Sequence, residues 1–562
     1  MSFSLTESKQ EKIFKWLIII LLFPALLINL GLMPFILDEA TRALVAKEMM
    51  LSGNYIVPSI NGEFYYNKPP LFNWILILFF NLTGSHTEII TRIPVVLSLI
   101  GFACTIYYTL KKEIGEKAAF LTALALITCG RILFYDSFKG LIDITYSWVT
   151  YAGFWSIYYY NKKGKLLRLF IVSWLLTTAG FFMKGLPSLV FQGITLLVFF
   201  IYTKQFRMLF SGKSFAGGGL FLLLAGIYFL LYSRYNSLLN YRDALWSESA
   251  GRTAVYHPIR ESILHFILFP AEFIMHFLPW TLLLIFLVGK GRLKELFSIP
   301  VARYMIIIFI SNISVYWISP VIYPRYLFMF LPLVFGTCAY SYYVFGLNTR
   351  VDRYVFQPVL FIFIVLFPLV LMVLPFTGRS EFHSDKVIPW VLITLVSLVF
   401  PWLFIKLRSQ RILIFIAVWL LTRVAFNVFV LPDRLMTGRD IYWKEGAVET
   451  GRLTKGMPLY LFEDCPIHHM SSYYITAERN EMLTRWFDVP SQDAYYIMPL
   501  DKVRKISEIE VIYVFETDIK GLKLAVVKFG EGSGYRVNYL PFPENENYSQ
   551  DNKNKSHNIV PE

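Results

Sequence analysis

Apolar runs separated by short charged loops recur from residue 16 to residue 430. They cover 16–37, 93–110, 118–134, 141–160, 169–183, 188–203, 215–232, 263–288, 302–318, 326–346, 354–374, 388–406 and 411–430, thirteen in all. A helix needs about 20 such residues to cross a bilayer. The first run, Trp16 to Leu37, holds 22 residues without a charge and no small-residue cleavage site follows it, so it reads as a retained span. The apolar stretch 71–82 is only about 12 residues long. It reads as a helix lying on the outer membrane surface.

After residue 430 the period changes. Leu459-Tyr460-Leu461-Phe462, Tyr495-Tyr496-Ile497-Met498, Val511 to Phe515 and Leu524 to Val527 are short β-rich runs between polar stretches. They predict a small α/β domain over 431–542. The last 20 residues, 543–562, are rich in Asn, Glu, Lys and Ser and read as a disordered tail.

Composition agrees with a polytopic membrane protein: 56% hydrophobic, 16% charged, mean hydropathy +0.52. The net charge of +14 goes with basic loops, not nucleic-acid binding. With the N-terminus cytoplasmic, every inside segment holds two to four cations, as in Lys111, Lys112 and Lys117, or Lys162, Lys163, Lys165 and Arg168. The short outside loops 135–140 and 319–325 hold about one each. This positive-inside pattern puts the segment after 431 outside. Three of the four cysteines, Cys104, Cys129 and Cys338, fall in apolar runs, so buried, reduced thiols are expected rather than a disulfide framework.

Candidate chemistry collects at the outer edge. Asp38 and Glu39 follow the first run. Tyr66 and Lys68 lie in the loop 38–92. Asp136, Lys139 and Asp143 surround the start of the run 141–160, Lys184 ends the run 169–183, and Tyr323 and Arg325 precede the run 326–346. Charges at a membrane edge are costly unless they face water or a partner. Cations would hold a lipid phosphate and an acid would take the proton of an incoming hydroxyl. Each residue also has a plainer reading: Asp38 as a helix-end charge, Asp143 as a cap, Lys68 as a snorkelling lysine, Arg325 as a helix anchor. His468-His469 reads as ordinary domain side chains rather than a metal site.

The residues Asp38 to Met49, then Ser52 to Pro58, then Asn61-Gly62-Glu63-Phe64-Tyr65-Tyr66-Asn67-Lys68-Pro69-Pro70-Leu71 resemble the first periplasmic loop of bacterial GT-C glycosyltransferases. The branch is that of the lipid A aminoarabinose transferases and protein O-mannosyltransferases. Thr91-Arg92-Ile93-Pro94, Phe182 to Pro187, Phe277 to Trp280 and Tyr323 to Leu327 extend the resemblance. It implies a GT-C membrane domain over 1–430 in a bacterial inner membrane, with a periplasmic domain at 431–542. It also implies a polyprenyl-phosphate sugar donor and transfer to a lipid, glycan or protein acceptor. Carried over by motif, Asp38 is the principal acid, Asp143 the second acid and Lys68 the phosphate contact.

Glu39 completes the catalytic set, and Arg42, Tyr66, Lys184, Tyr323 and Arg325 the substrate-binding set. Asn67 stands where the aminoarabinose transferases carry a glutamate, and Thr41-Arg42 where they carry Arg-Tyr. No residues are therefore assigned to a metal, and a divalent ion stays an option only. The expected reaction is an inverting hexosyl or pentosyl transfer. The alternatives are a transporter or flippase of lipid-linked substrates, disfavoured by the lack of an internal repeat, and transfer of a phosphate-bearing group to a lipid.

Overall fold

The computed structural model describes residues 9–36, 38–251, 257–377, 384–504, 506, 509–519 and 521–530. The expected tail 543–562, the end of the expected domain (531–542) and Arg252, a cation of the loop 233–262, lie outside them. Most of the chain is helical, and eight of the described helices are long and apolar enough to cross a membrane. A ninth candidate is the pair Ile259–His276 and Trp280–Leu287, bent by 116° where one span over 263–288 was expected. Pro279 lies in this break, and a proline there cannot continue the i→i−4 ladder.

The N-terminal half begins with α1 (Lys9–Leu27), α2 (Asp38–Ser52), α3 (Leu71–Thr83), α4 (Glu88–Ile114) and α5 (Glu116–Ile127). It continues with α6 (Ile142–Lys162), α7 (Leu166–Lys184), α8 (Pro187–Tyr202) and α9 (Gly212–Tyr232). α1 stops ten residues short of the expected end at Leu37, and a turn region carries the chain to α2. The acid pair therefore starts a new helix rather than ending a span. The run 118–134 is broken as well, α5 closing at Ile127.

These interruptions free carbonyl groups inside an apolar bundle, which must find donors. Arg423, 1% exposed, supplies them: its Nη1 donates to Leu133 O at 2.5 Å and its Nε to Ala25 O at 3.2 Å. Asn427 Nδ2 adds a bond to Ala25 O at 2.9 Å. The charged residue inside the span 411–430 is thus a structural tie, as expected of a paired intramembrane arginine. All four cysteines are free, and Cys104 is exposed rather than buried, facing out from α4.

Between α2 and α3 the chain forms a two-strand hairpin, β1 (Ser59–Ile60) and β2 (Glu63–Phe64). Asn61 and Gly62 have φ of 53° and 78°, the paired positive values of a two-residue hairpin turn that Asn-Gly favours. The C-terminal strands are β3 (Leu459–Phe462), β4 (Thr484–Trp486), β5 (Tyr495–Pro499), β6 (Ile509–Glu516) and β7 (Lys523–Phe529). They pair in the order β4-β3-β5-β7-β6, parallel at β3 and antiparallel around β7. Four of the five match the β-rich runs of the sequence; β4, three residues long, was not foreseen.

This sheet shares a hydrophobic core with α2. Phe35, Ala40, Ala43 and Leu44 pack in one cluster with Leu461, Tyr473, Tyr474, Ile497 and Val526. The helix His469–Arg479 packs against α2 and shares this cluster with the sheet.

Candidate active site

Asp38 and Glu39 are neighbours in sequence with opposite environments. Asp38 opens α2, its side chain is 63% exposed, and Arg325 Nη2 donates to its Oδ2 at 2.5 Å. Glu39 is fully buried. Arg92 grips it with two bonds, Nε to Oε1 at 2.7 Å and Nη2 to Oε2 at 3.0 Å, and the Gly140 amide donates to Oε1 at 2.6 Å. Arg92 is held in turn by the carbonyls of Leu30 and Pro34. A Cβ on Gly140 would lie 2.8 Å from Thr91 Cγ2 and 3.2 Å from Glu39 Oε1, so only glycine permits this approach. The Glu39 carboxylate, expected among the catalytic acids, is buried and held by Arg92 and the Gly140 amide. It ties together the turn after α1, the start of α4 and the loop before α6.

Asp143, at the start of α6, is 4% exposed and bonds to the ammonium of Lys184 at the end of α7. Arg325 lies between the two acids, its Nε 3.5 Å from Asp143 Oδ2. Aromatic faces line the cations. The Lys184 ammonium sits 4.8 Å from the ring centre of Tyr146 and 4.4 Å from that of Tyr326, and the Arg325 guanidinium 4.5 Å from that of Tyr323. The chain thus brings Asp38, Asp143, Lys184, Tyr323 and Arg325 to one place from four separate segments.

The other expected residues sit in the first loop. Arg42, one turn after Asp38, is 5% exposed. Its guanidinium stacks 5.0 Å from the Tyr65 ring centre and bonds the Tyr65 hydroxyl, and its Nη1 is buried without a hydrogen-bond partner. Tyr66 accepts a hydrogen bond from Asn236 Nδ2 at 2.9 Å. Lys68 is half-buried, donates to Asn67 O at 3.0 Å and lies within electrostatic reach of Asp143.

The hairpin leading into Tyr65–Lys68 hangs on Glu48. This fully buried carboxylate accepts from the Asn61 amide at 2.6 Å, the Ser59 hydroxyl at 2.7 Å and the Gly62 amide at 3.4 Å. Burial outweighs these donors and pushes the Glu48 carboxyl up to about 6. Sequence reasoning missed Glu48, although a charge within the otherwise apolar face of α2 is a signal that something polar must meet it.

It also missed the sheet's reach to the site. Thr41 Oγ1 lies 2.7 Å from His469 Nδ1, and the Phe35 amide donates to the Tyr474 hydroxyl at 2.9 Å. Arg485 Nε bonds Glu63 Oε2 at 3.1 Å, and Lys47 Nζ bonds Asn480 Oδ1 at 2.7 Å. Burial, with His468 and Arg42 adding, lowers His469 to about 4, so its ring is neutral at neutral pH. Among the described residues no group of three or more His, Cys, Asp or Glu is arranged to hold a metal ion.

The comparisons with known proteins bear on the same regions. The family model described as dolichyl-phosphate-mannose-protein mannosyltransferase matches residues 67–232. The undecaprenyl phosphate-alpha-4-amino-4-deoxy-L-arabinose arabinosyl transferase 2 of Proteus mirabilis is 28% identical over 180 residues, 31% of this chain and 32% of that protein. An uncharacterised protein of Aquifex aeolicus is 25% identical over 315 residues, 55% of this chain and 60% of its own. The chain thus spans about a third of the length of that transferase, and 60% of the second relative.

Over the whole fold, the crystal structure of ArnT from Cupriavidus metallidurans bound to undecaprenyl phosphate superposes with a TM-score of 0.64. That likeness covers 93% of this chain and 99% of the other, at 17% identity. The fold is therefore that of a GT-C membrane protein carrying a small C-terminal sheet. Over residues 67–232 and the first loop, the chain is thus similar to protein O-mannosyltransferases and aminoarabinose transferases.

Proposed function

We propose that this protein is an inverting glycosyltransferase that takes a sugar from a polyprenyl-phosphate donor at the periplasmic face of a bacterial inner membrane. The observation that carries the reading is the exposed Asp38 carboxylate, held by Arg325 beside the buried Asp143–Lys184 pair. The acceptor oxygen attacks the anomeric carbon as the bond from that carbon to the phosphate oxygen breaks. The acceptor's hydroxyl proton passes to Asp38. The phosphate leaves as polyprenyl phosphate, its growing charge met by Lys68 with Arg42, Lys184 and Arg325. Two acids among four cations leave an excess of positive charge for that anion.

Asp143 is the orienting acid in this scheme: it fixes Lys184 and Arg325 rather than touching the acceptor. Glu39 anchors the loop. The bare Nη1 of Arg42 is a donor awaiting an acceptor. Tyr66 and Tyr323 shape the sugar and phosphate pocket. The segments 1–430 and 431–542 form the catalytic and periplasmic units of this reading, and the sugar is a hexose or a pentose.

The test is turnover by the purified, full-length protein. Radiolabelled sugar should leave a polyprenyl phosphate and appear on an acceptor, and Asp38→Asn should abolish this while leaving the protein folded. Substantial turnover by Asp38→Asn would remove Asp38 as the main acid.

A further inference from the structure

The Asp38 carboxylate is exposed, yet residues on either side of it are held from the far end of the chain. Phe35, three residues before it, donates its amide to the Tyr474 hydroxyl, and its ring lies between Tyr473 at 4.9 Å and Tyr474 at 5.9 Å, centre to centre. Thr41, three residues after it, pairs with His469 at 2.7 Å. Both partners sit on the helix His469–Arg479 of the sheet unit.

That helix is itself fixed. The Tyr474 hydroxyl donates to Glu88 Oε1 at 2.7 Å, and Lys444 closes on the same oxygen at 2.6 Å. His468, next to His469, lies 2.5 Å from Asp518. The helix is tied to α4 and to the sheet unit, while its first two turns reach Phe35 and Thr41 on either side of the acid.

We propose that His469 and Tyr474 are positioning residues for Asp38, so that the sheet unit is a working part of the transfer site and not an appended domain. The proposal rests on the reading of Asp38 as the acid that accepts the acceptor's proton. An acid in that role must meet a hydroxyl within hydrogen-bond reach, and displacements near 1 Å are costly to rate. Arg325 alone fixes Asp38 through a long side chain. The two contacts from the sheet unit hold the chain on both sides of it, one at the Phe35 main chain and one at the Thr41 side chain, setting where α2 begins and where the carboxylate points. Neither touches a substrate, so their loss should fall on kcat and spare donor binding.

The experiment uses the full chain, purified and checked for a single monodisperse peak. His469→Ala and Thr41→Val should each lower kcat roughly 10-fold, the scale of one lost hydrogen bond, with donor KM changed by less than about two-fold. The double variant should cost no more than either single one, because both remove one interaction. His469→Gln, which can still bond the threonine hydroxyl, should recover most of the rate. Asn480→Ala is the control. It removes the Lys47 contact on the same interface, about two and a half turns along α2 from Asp38, and should leave kcat unchanged.

Wild-type kcat in both His469→Ala and Thr41→Val, with Asp38→Asn inactive, would overturn the positioning role and leave the catalytic reading standing. An equal loss in Asn480→Ala would also overturn it, since docking strength rather than placement would then govern the rate. Activity in Asp38→Asn would overturn the catalytic reading and this proposal with it.

Discussion

At the residue scale, exposure separates two adjacent carboxylates that sequence alone treats as a pair. Asp38 faces out with its side chain 63% exposed, and Glu39 is sealed by Arg92 and Gly140. The partners that seal it lie 53 and 101 residues away, which is why the motif could be read and the division of labour could not. Glu39→Ala should leave the Arg92 guanidinium buried without its charge partner, a loss of about 3–5 kcal/mol in stability. Thermal unfolding in detergent, followed by the monodisperse fraction, measures it. A Glu39→Ala protein as stable as wild type but without turnover would instead place Glu39 in the chemistry.

Lys68 gives the opposite case: its motif is local, so sequence located it, but only geometry shows it near Asp143. If it grips the donor phosphate, Lys68→Ala should cost about 10- to 150-fold in rate or donor affinity. Because the phosphate gains charge as the sugar leaves, part of that loss should fall on kcat. Arginine at 68 should rescue only partly, since its broad fork replaces a compact charge. Wild-type kinetics for Lys68→Ala below donor saturation would reduce Lys68 to an interfacial anchor.

At the scale of elements, the first loop is built by short-range rules and aimed by long-range ones. Asn61-Gly62 forms the hairpin turn that this pair favours, and Pro69-Pro70 immediately precede α3. What aims the hairpin is Glu48 beneath it and Thr484 of β4 beside it, since a Cβ on Gly62 would lie 2.7 Å from Thr484 Cγ2. β4 has only three residues and no alternation to read, so this contact was invisible in the sequence. The breaks in the runs 16–37 and 263–288 were equally hidden, because hydropathy is continuous across them.

Glu48 makes a pH prediction. Its folded value of about 6 lies above the 4.5 of an ordinary glutamate. The native state therefore favours the protonated form. Its contribution is fully present below pH 4.5 and is lost as pH rises through about 6. The shift corresponds to about 2 kcal/mol. Glu48→Gln, neutral at every pH, should flatten stability between about pH 4.5 and 6 and raise it modestly at neutral pH. Melting temperatures of wild type and Glu48→Gln across that window check this. Parallel profiles would mean that Glu48 stays ionised and that its three donors outweigh its burial.

At the scale of the whole molecule, the charge pattern and the packing make separate claims that meet in one topology. The loop charges, read as positive-inside, predict that Lys162-Lys163 face the cytoplasm and the C-terminal sheet the periplasm. The packing argues without reference to charge. The sheet shares a core with α2 and bonds to Thr41, Phe35 and Glu63, so it must lie on the side of the membrane where Asp38 lies. α7, one of the helices long and apolar enough to cross a membrane, runs from just past Lys162-Lys163 to Lys184, which pairs with Asp143 beside Asp38, and its 19 residues rise about 28 Å, close to the thickness of a hydrocarbon core. The two lines agree that Lys162 and the sheet are on opposite sides. Single cysteines at Lys162 and at Ser491, the latter in the loop before β5, should therefore label from opposite faces of sealed vesicles. The exposed native Cys104 must first be replaced, whereas Cys129, Cys338 and Cys465 are buried and should react slowly. Labelling of both introduced cysteines by the same impermeant reagent, from one side of intact vesicles, would break the assignment. It would also detach the sheet from the face on which the transfer is proposed to occur.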